Sequence, residues 1–351
     1  MRIKGLDFLR GIAIAGVLCR HSHMQNFLVS PGGYGVDLFF VLSGFLVSGL
    51  LFSEYKKTGN AETGRFLIRR GFKIYPAFYF YLGILILTEV FFFKRTIGSS
   101  SILTEVFFLQ SYGNPIQFHT WSLAIEEHFY ILLSLLIFLA IRFGWMPNRK
   151  AIISFLIAAI VLIFTLRFIH CLPIGKPRAA FFATHLRADG LFMGALFSYL
   201  WHFSPDFIKK ILAHRRLLYF IAAILVAPCF LIAPGSFFMM TIGLNILHLG
   251  FAVFILLLAD EYYESMIFRT PYLKTVAAVV CFLGINSYSI YLWHLLVEDV
   301  IDSYIPESEV LNIIIFFAGA IAIGLLSSYF IERKFLNIRE KYFPRRVQNP
   351  I

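Results

Sequence analysis

The sequence predicts an all-α polytopic membrane protein: a bundle of about ten transmembrane helices with both termini in the cytoplasm. Three observations predict it. The 351 residues are 59% hydrophobic and only 15% charged, against roughly 25% charged in soluble domains. Apolar runs recur along the whole length, each near the ~20 residues that span a bilayer. The basic residues also fall mostly on alternate connections between those runs. The composition excludes a soluble enzyme and a disordered chain, and the number of runs excludes a single-pass protein. The net charge of +11 is no sign of nucleic-acid binding, because the cations sit in short loops as orientation signals do. Cys19, Cys171, Cys229 and Cys281 show no paired spacing and read as free thiols. The first apolar run carries Arg10 and His21 without a cleavage site and is expected to stay as the first helix.

The spans are placed at 6–26, 34–53, 75–93, 122–142, 151–170, 187–203, 217–233, 240–258, 276–298 and 310–331. With an even number, both ends share one side. That side then holds 23 basic residues, from Arg2 and Lys4 through the Lys56–Lys73 segment to the Arg333–Arg346 tail. The other side holds six: Lys94, Arg95, Arg167, Lys176, Arg178 and Arg187. This asymmetry orients the bundle. The acidic loop with Glu298, Asp299, Asp302, Glu307 and Glu309 agrees with it. No linker, repeat or low-complexity tract divides the chain. Residues 1–340 are expected to form one transmembrane domain and 341–351 a short basic cytoplasmic tail, with no extra soluble domain. The protein is then integral and multi-pass, in the cytoplasmic (inner) membrane if bacterial.

Ionisable groups inside a bilayer cost several kcal/mol unless paired or wetted, so each one points to a task. In the first span Arg10 and His21 are eleven residues apart, which puts them on one face about 20° apart and roughly 16 Å along the axis. Asp37 enters the second span after a Gly-rich turn, with Ser43 and Gly44 permitting close helix approach. The segment RFLIRRGFKIYP gathers Arg65, Arg69, Arg70 and Lys73 at the inner surface. It reads either as a solvated topogenic loop or as a phosphate clamp. WSLAIEEHFY brings Glu126, and HLRADGLFMGAL brings Arg187 and Asp189 with a Gly190/Gly194 packing face. Ser287, Tyr291, His294 and Glu298, at i, i+4, i+7 and i+11, form one polar stripe that must face the interior or a wet cavity. His21, Asp37, Glu126, Arg187, Asp189 and His294 all map to the outer half. The result is an outward polar cavity joined to an inward anion site. Imidazoles beside carboxylates suit general base catalysis. No metal-ligand spacing is present, and no nucleotide motif. The competing reading is a transporter of an envelope glycan or small anion, which the lack of an inverted repeat disfavours.

These segments resemble the acyltransferase-3 family of integral membrane acyltransferases over nearly the whole chain. The resemblance rests on LDFLRG with Arg10 followed after ten residues by His21, then GVDLFFVLSGF, RRGFKIYP, WSLAIEEHFY, RADGLFMG and SYSIYLWH in order. Lys73 stands where the family usually has a second Arg, and loses its bidentate fork. The resemblance implies an O-acyltransferase, usually an O-acetyltransferase, with acetyl-CoA or another acyl-CoA as donor substrate. No permanently bound cofactor or metal is implied, since thioester to oxygen ester is downhill. The acceptor is a hydroxyl of an extracytoplasmic glycan such as lipopolysaccharide O-antigen or another envelope polysaccharide. Arg10, Arg69, Arg70 and Lys73 are then expected at the donor, and His21 at the chemistry, as a base or as an acyl carrier. Asp37 or Glu126 is expected to orient His21, with Arg187, Asp189, Tyr291 and His294 lining the acceptor site.

Overall fold

A computed structural model describes residues 3–346 apart from 23, 25–28, 173–181, 261–270 and 306–307. Arg2, Lys176, Arg178, Arg269 and Glu307, used above to orient the chain, lie outside the described residues, as do residues 347–351. Among the described residues every regular element is helical. The principal helices are α1 Lys4–His21, α2 Gly35–Thr58, α3 Thr63–Leu87, α4 Trp121–Arg142, α5 Arg149–Cys171 and α6 Asp189–Phe203. They continue with α7 Arg215–Val226, α8 Leu244–Ala259, α9 Pro271–Ile285, α10 Ser287–Tyr304, α11 Glu309–Ser327 and α12 Arg333–Tyr342.

Among the described residues six helices are long and apolar enough to cross a membrane, or up to eight if each of two bent pairs counts as one span. Two of the ten expected spans fall outside that count for identifiable reasons. Helix α1 carries Lys4, Asp7, Arg10 and Arg20 in 18 residues, and α6 is only 15 residues long. The expected span at 276–298 is corrected: α9 and α10 meet at a 75° bend. The break is stabilised chemically. Buried Asn286 donates from its amide to the Phe282 carbonyl at 2.8 Å and accepts from the Ser328 hydroxyl at 2.8 Å. The basic segment is also corrected. Arg65, Arg69, Arg70 and Lys73 lie in the first turns of α3, where their i, i+4, i+5 and i+8 spacing collects them on one side of a helix.

The helices sort by burial. In α2 72% of the apolar window is buried, but in α5 only 22%, so α2 is a central post and α5 a peripheral helix with a wide apolar outer face. Exposed Phe91, Phe92, Phe138, Leu162 and Phe220 continue that outer surface, as a lipid-facing belt requires. The α2–α6 contact is the most extensive, and glycine makes it possible. A Cβ on Gly44 would lie 2.0 Å from the Leu191 carbonyl oxygen, and one on Gly194 2.1 Å from that of Val41. At the other side of the core, Gly284 lets α9 touch α1 at the Asp7 carbonyl.

Candidate active site

Three adjoining cavities follow α2 along its length. The first, of ≈ 400 Å³, is bordered by Val17, Arg20, His21, Asp37, His119, Trp121, Arg187, Tyr291 and His294. A narrower middle chamber of ≈ 90 Å³ is bordered by Arg10, Ser43, Arg70, Lys73, Glu126, Glu127 and Ser287. The third, a basic pocket of ≈ 110 Å³, lies between Glu54, Arg65, Arg69 and the C-terminal segment. Val36 and Tyr291 border both the first cavity and the chamber, and Arg70 and Lys73 border both the chamber and the basic pocket. Asp37 and Glu54 mark the two ends. Their 17-residue separation on α2 corresponds to about 25 Å of helix, close to the thickness of a bilayer core.

His21 is the last residue of α1, and its side chain stands at the first cavity. Its Nδ1 lies 3.3 Å from Oε2 of Glu298 on α10. A carboxylate only accepts, so a proton carried on Nδ1 would face an acceptor, and Nε2 would then be the atom open to take a proton. The His294 ring meets that of His21 edge-on with centroids 5.1 Å apart, and His119 meets His294 at 5.0 Å. His294 Nδ1 bonds the Tyr291 carbonyl at 2.5 Å, and its buried Nε2 has no partner among the described residues. Tyr291 gives its hydroxyl proton to the His119 carbonyl at 2.8 Å and contacts Ser122 at 2.7 Å. It therefore shapes the wall and offers no donor to the cavity. His119 itself is delivered by a short turn ahead of α4. Buried Glu105 secures that turn, accepting from the Ile116 amide at 2.9 Å and the Thr120 hydroxyl at 3.0 Å. Burial pushes the Glu105 carboxyl above the usual carboxylate range.

Neither of the two carboxylates expected to orient His21 is paired with it. Asp37 borders the same cavity, but its Oδ1 is held by Arg187 at 2.9 Å and by His248 Nε2 at 2.9 Å. His248 Nδ1 reaches Asp189 at 3.6 Å, and Arg167 closes the chain on Asp189 at 2.7 Å. Two carboxylates thus face two guanidiniums across one imidazole, all buried, tying α2, α5, α6 and α8 together. Asp189 is enclosed in this network and does not border the cavity, so its expected place at the acceptor site is corrected. Arg167, counted above with the outer side, is inside α5. Arg187 differs from its partners. It borders the cavity, and its Nε and NH1 have no partner among the described residues.

Glu126 belongs to the middle chamber. It accepts from Ser43 at 2.9 Å and from Tyr130, and lies 3.7 Å from Arg70. Arg70 also bonds the Tyr130 hydroxyl and stacks over that ring at 4.3 Å. Arg10 borders the same chamber and pairs with Asp7 at 3.5 Å. Lys73 binds Glu332 at 3.1 Å, whose other oxygen accepts from Ser289 at 3.0 Å. Arg69 turns the opposite way, to Glu340 at 2.8 Å and to the Phe343 carbonyl.

The arrangement has an imidazole beside a carboxylate, a cavity bordered by a guanidinium whose Nε and NH1 are open among the described residues, and a basic pocket at the far end. Group transfer between a ligand anchored at one end and a nucleophile admitted at the other matches these parts. Residues 3–333 match the acyltransferase-3 family, whose defining unit is described as an acyltransferase domain. The chain belongs to that family. It is 28% identical over 356 residues to the peptidoglycan O-acetyltransferase OatA of Listeria monocytogenes serovar 1/2a, covering 94% of this chain and 55% of the relative. It is 27% identical over 330 residues to the O-acetyltransferase OatA of Staphylococcus aureus (strain NCTC 8325), covering 88% of this chain and 52% of the relative. The chain thus spans about half the length of these curated relatives. No solved structure matches it.

Several members of the site were missed or misassigned from sequence. His248 stands alone in the apolar run LNILHLG, and an ionisable group there was itself the signal. Glu298 was part of the α10 stripe, but nothing in the stripe distinguishes a partner of His21 from a solvated helix end. Glu127 and Glu332, far apart in sequence, become chamber and Lys73 partners only through tertiary packing.

Proposed function

We propose that this protein is a membrane O-acyltransferase that moves an acyl group, acetyl by default, from cytoplasmic acyl-CoA to a hydroxyl of an extracytoplasmic glycan. In this reading α1 and α6 also cross the bilayer, giving ten spans with both termini in the cytoplasm. The basic pocket faces inward, where Arg70 and its neighbours meet the donor phosphates. The acyl thioester extends through the middle chamber, and the glycan enters the His21 cavity from outside. The observation that carries this is the run of three cavities with shared walls, which joins a basic mouth to a carboxylate-oriented imidazole across roughly a bilayer's thickness.

The chemistry follows from His21 Nε2. It removes the proton of the acceptor hydroxyl as that oxygen attacks the thioester carbonyl carbon. The carbon–sulfur bond breaks, and the proton passes from the imidazole to the departing sulfur, leaving an oxygen ester and free CoA thiol. Glu298 holds the Nδ1–H tautomer and stabilises the imidazolium, as the buried carboxylate does in a hydrolase triad. The open N–H groups of Arg187 are placed to meet the developing oxyanion or an acceptor oxygen. The acceptor is a cell-envelope glycan. The peptidoglycan activity named for one relative favours a cell-wall polymer, with lipopolysaccharide O-antigen the counterpart in a Gram-negative envelope. Purified protein given labelled acetyl-CoA and a soluble muro-oligosaccharide tests this. Labelled ester should form with wild type and not with His21→Ala. Equal ester formation by both would end the assignment.

A further inference from the structure

The basic pocket is built from two ends of the chain. One wall is the start of α3 and the end of α2, and the other is the segment Arg339–Arg346. That segment is fastened in place. Arg65 donates to the Pro344 carbonyl at 2.7 Å, and Arg69 donates to the Phe343 carbonyl and to Glu340 at 2.8 Å. Arg346 pairs with Glu62 at 2.9 Å and Glu54 at 3.6 Å.

This changes which cations are available to a ligand. Seven basic side chains border the pocket against two carboxylates, Glu54 and Glu62. The excess positive charge calls for a polyanion. Yet the α3 cations are largely committed to the protein itself: Arg65 and Arg69 to the C-terminal segment, Arg70 to Tyr130 and Glu126, and Lys73 to Glu332. Arg345 borders the pocket with no ion-pair or hydrogen-bond partner among the described residues. Arg346 is paired only to carboxylates on the pocket rim, where solvent keeps such pairs weak.

We propose that the segment Arg339–Arg346 is a wall of the donor site and that Arg345 and Arg346 bind the phosphates of the acyl-CoA. Arg65 and Arg69 are then positioning residues that hold this wall. The proposal rests on the donor reading above and adds the ligand's second contact surface. Cations match phosphate oxygens by charge, and a segment tethered through two backbone carbonyls holds both side chains at the pocket.

The test is acetyl-CoA binding by titration calorimetry to the full chain in detergent. Arg345→Ala/Arg346→Ala should weaken binding by about ten-fold or more, the scale of lost charge-assisted contacts. Its affinity should also depend less on salt than that of wild type. Arg345→Lys/Arg346→Lys should recover most of the affinity. Unchanged affinity in the double alanine variant overturns the proposal while leaving the donor reading standing. A loss that the lysine variant does not restore also overturns it, because the segment would then act by shape and not by charge. If wild type itself binds no acetyl-CoA, the donor reading falls first and this inference with it.

Discussion

The two ends of the cavity chain solve opposite problems. The basic pocket is bordered by seven cations and is assembled from α2, α3 and the C-terminal segment, with Arg346 held only by exposed rim pairs. The His21 cavity is largely apolar, lined by Trp121, Phe118 and Met239 beside three histidines, and is braced from behind by a fully buried charge network. An anion with several phosphates can be held by many weak, screened contacts. A base must instead be held in one orientation, which requires a specific carboxylate and a rigid backing. Substitutions should therefore act gradually at the basic pocket and sharply at the His21 cavity.

The sharpest is His21→Ala, which should lower acyl transfer by about 10³-fold or more while leaving acetyl-CoA affinity within two-fold of wild type. Calorimetry and a labelled-ester assay on one preparation read both quantities, and a matching fall in affinity would merge the two ends into one site. Behind the cavity, Arg167→Ala removes the guanidinium paired with buried Asp189 and should cost about 3–5 kcal/mol of stability. A thermal melt in detergent checks it, and an unchanged midpoint would show that the network is not a brace. Glu298→Gln keeps the shape but removes the orienting charge, and should reduce kcat by about 10²-fold with little change in donor KM. An Asp37→Asn variant with the larger kcat loss and intact stability would return the orienting role to Asp37. The smallest effect belongs to the basic end: Arg70→Ala should raise donor KM about ten-fold, measured by steady-state kinetics at fixed acceptor.

The same division explains what the sequence discloses. Hydropathy makes the helices legible, and their boundaries agree with observation at α4 and α5 within two residues, while α2 runs five residues past its expected end. It misreads the 75° turn at Asn286, because the amide that satisfies the broken helix is indistinguishable in sequence from any polar residue in a long run. His21 and His294 are legible as a shared outer feature because intramembrane imidazoles are costly and few. Which carboxylate serves His21 is not legible. Asp37, Glu126, Asp189 and Glu298 are equally expensive in lipid, and only packing assigns three of them to arginines and one to the imidazole. Arg69 fits a phosphate clamp by type and spacing, yet its guanidinium is turned to the C-terminal segment, a contact 271 residues away in the chain.

The most direct measurement uses proteoliposomes with the protein in a known orientation, labelled acetyl-CoA supplied only on the Arg70 side and a muro-oligosaccharide only on the His21 side. Labelled ester should accumulate on the oligosaccharide with wild type and be absent with His21→Ala. If ester formed only when donor and acceptor shared one compartment, the three cavities would not be the route of the acyl group.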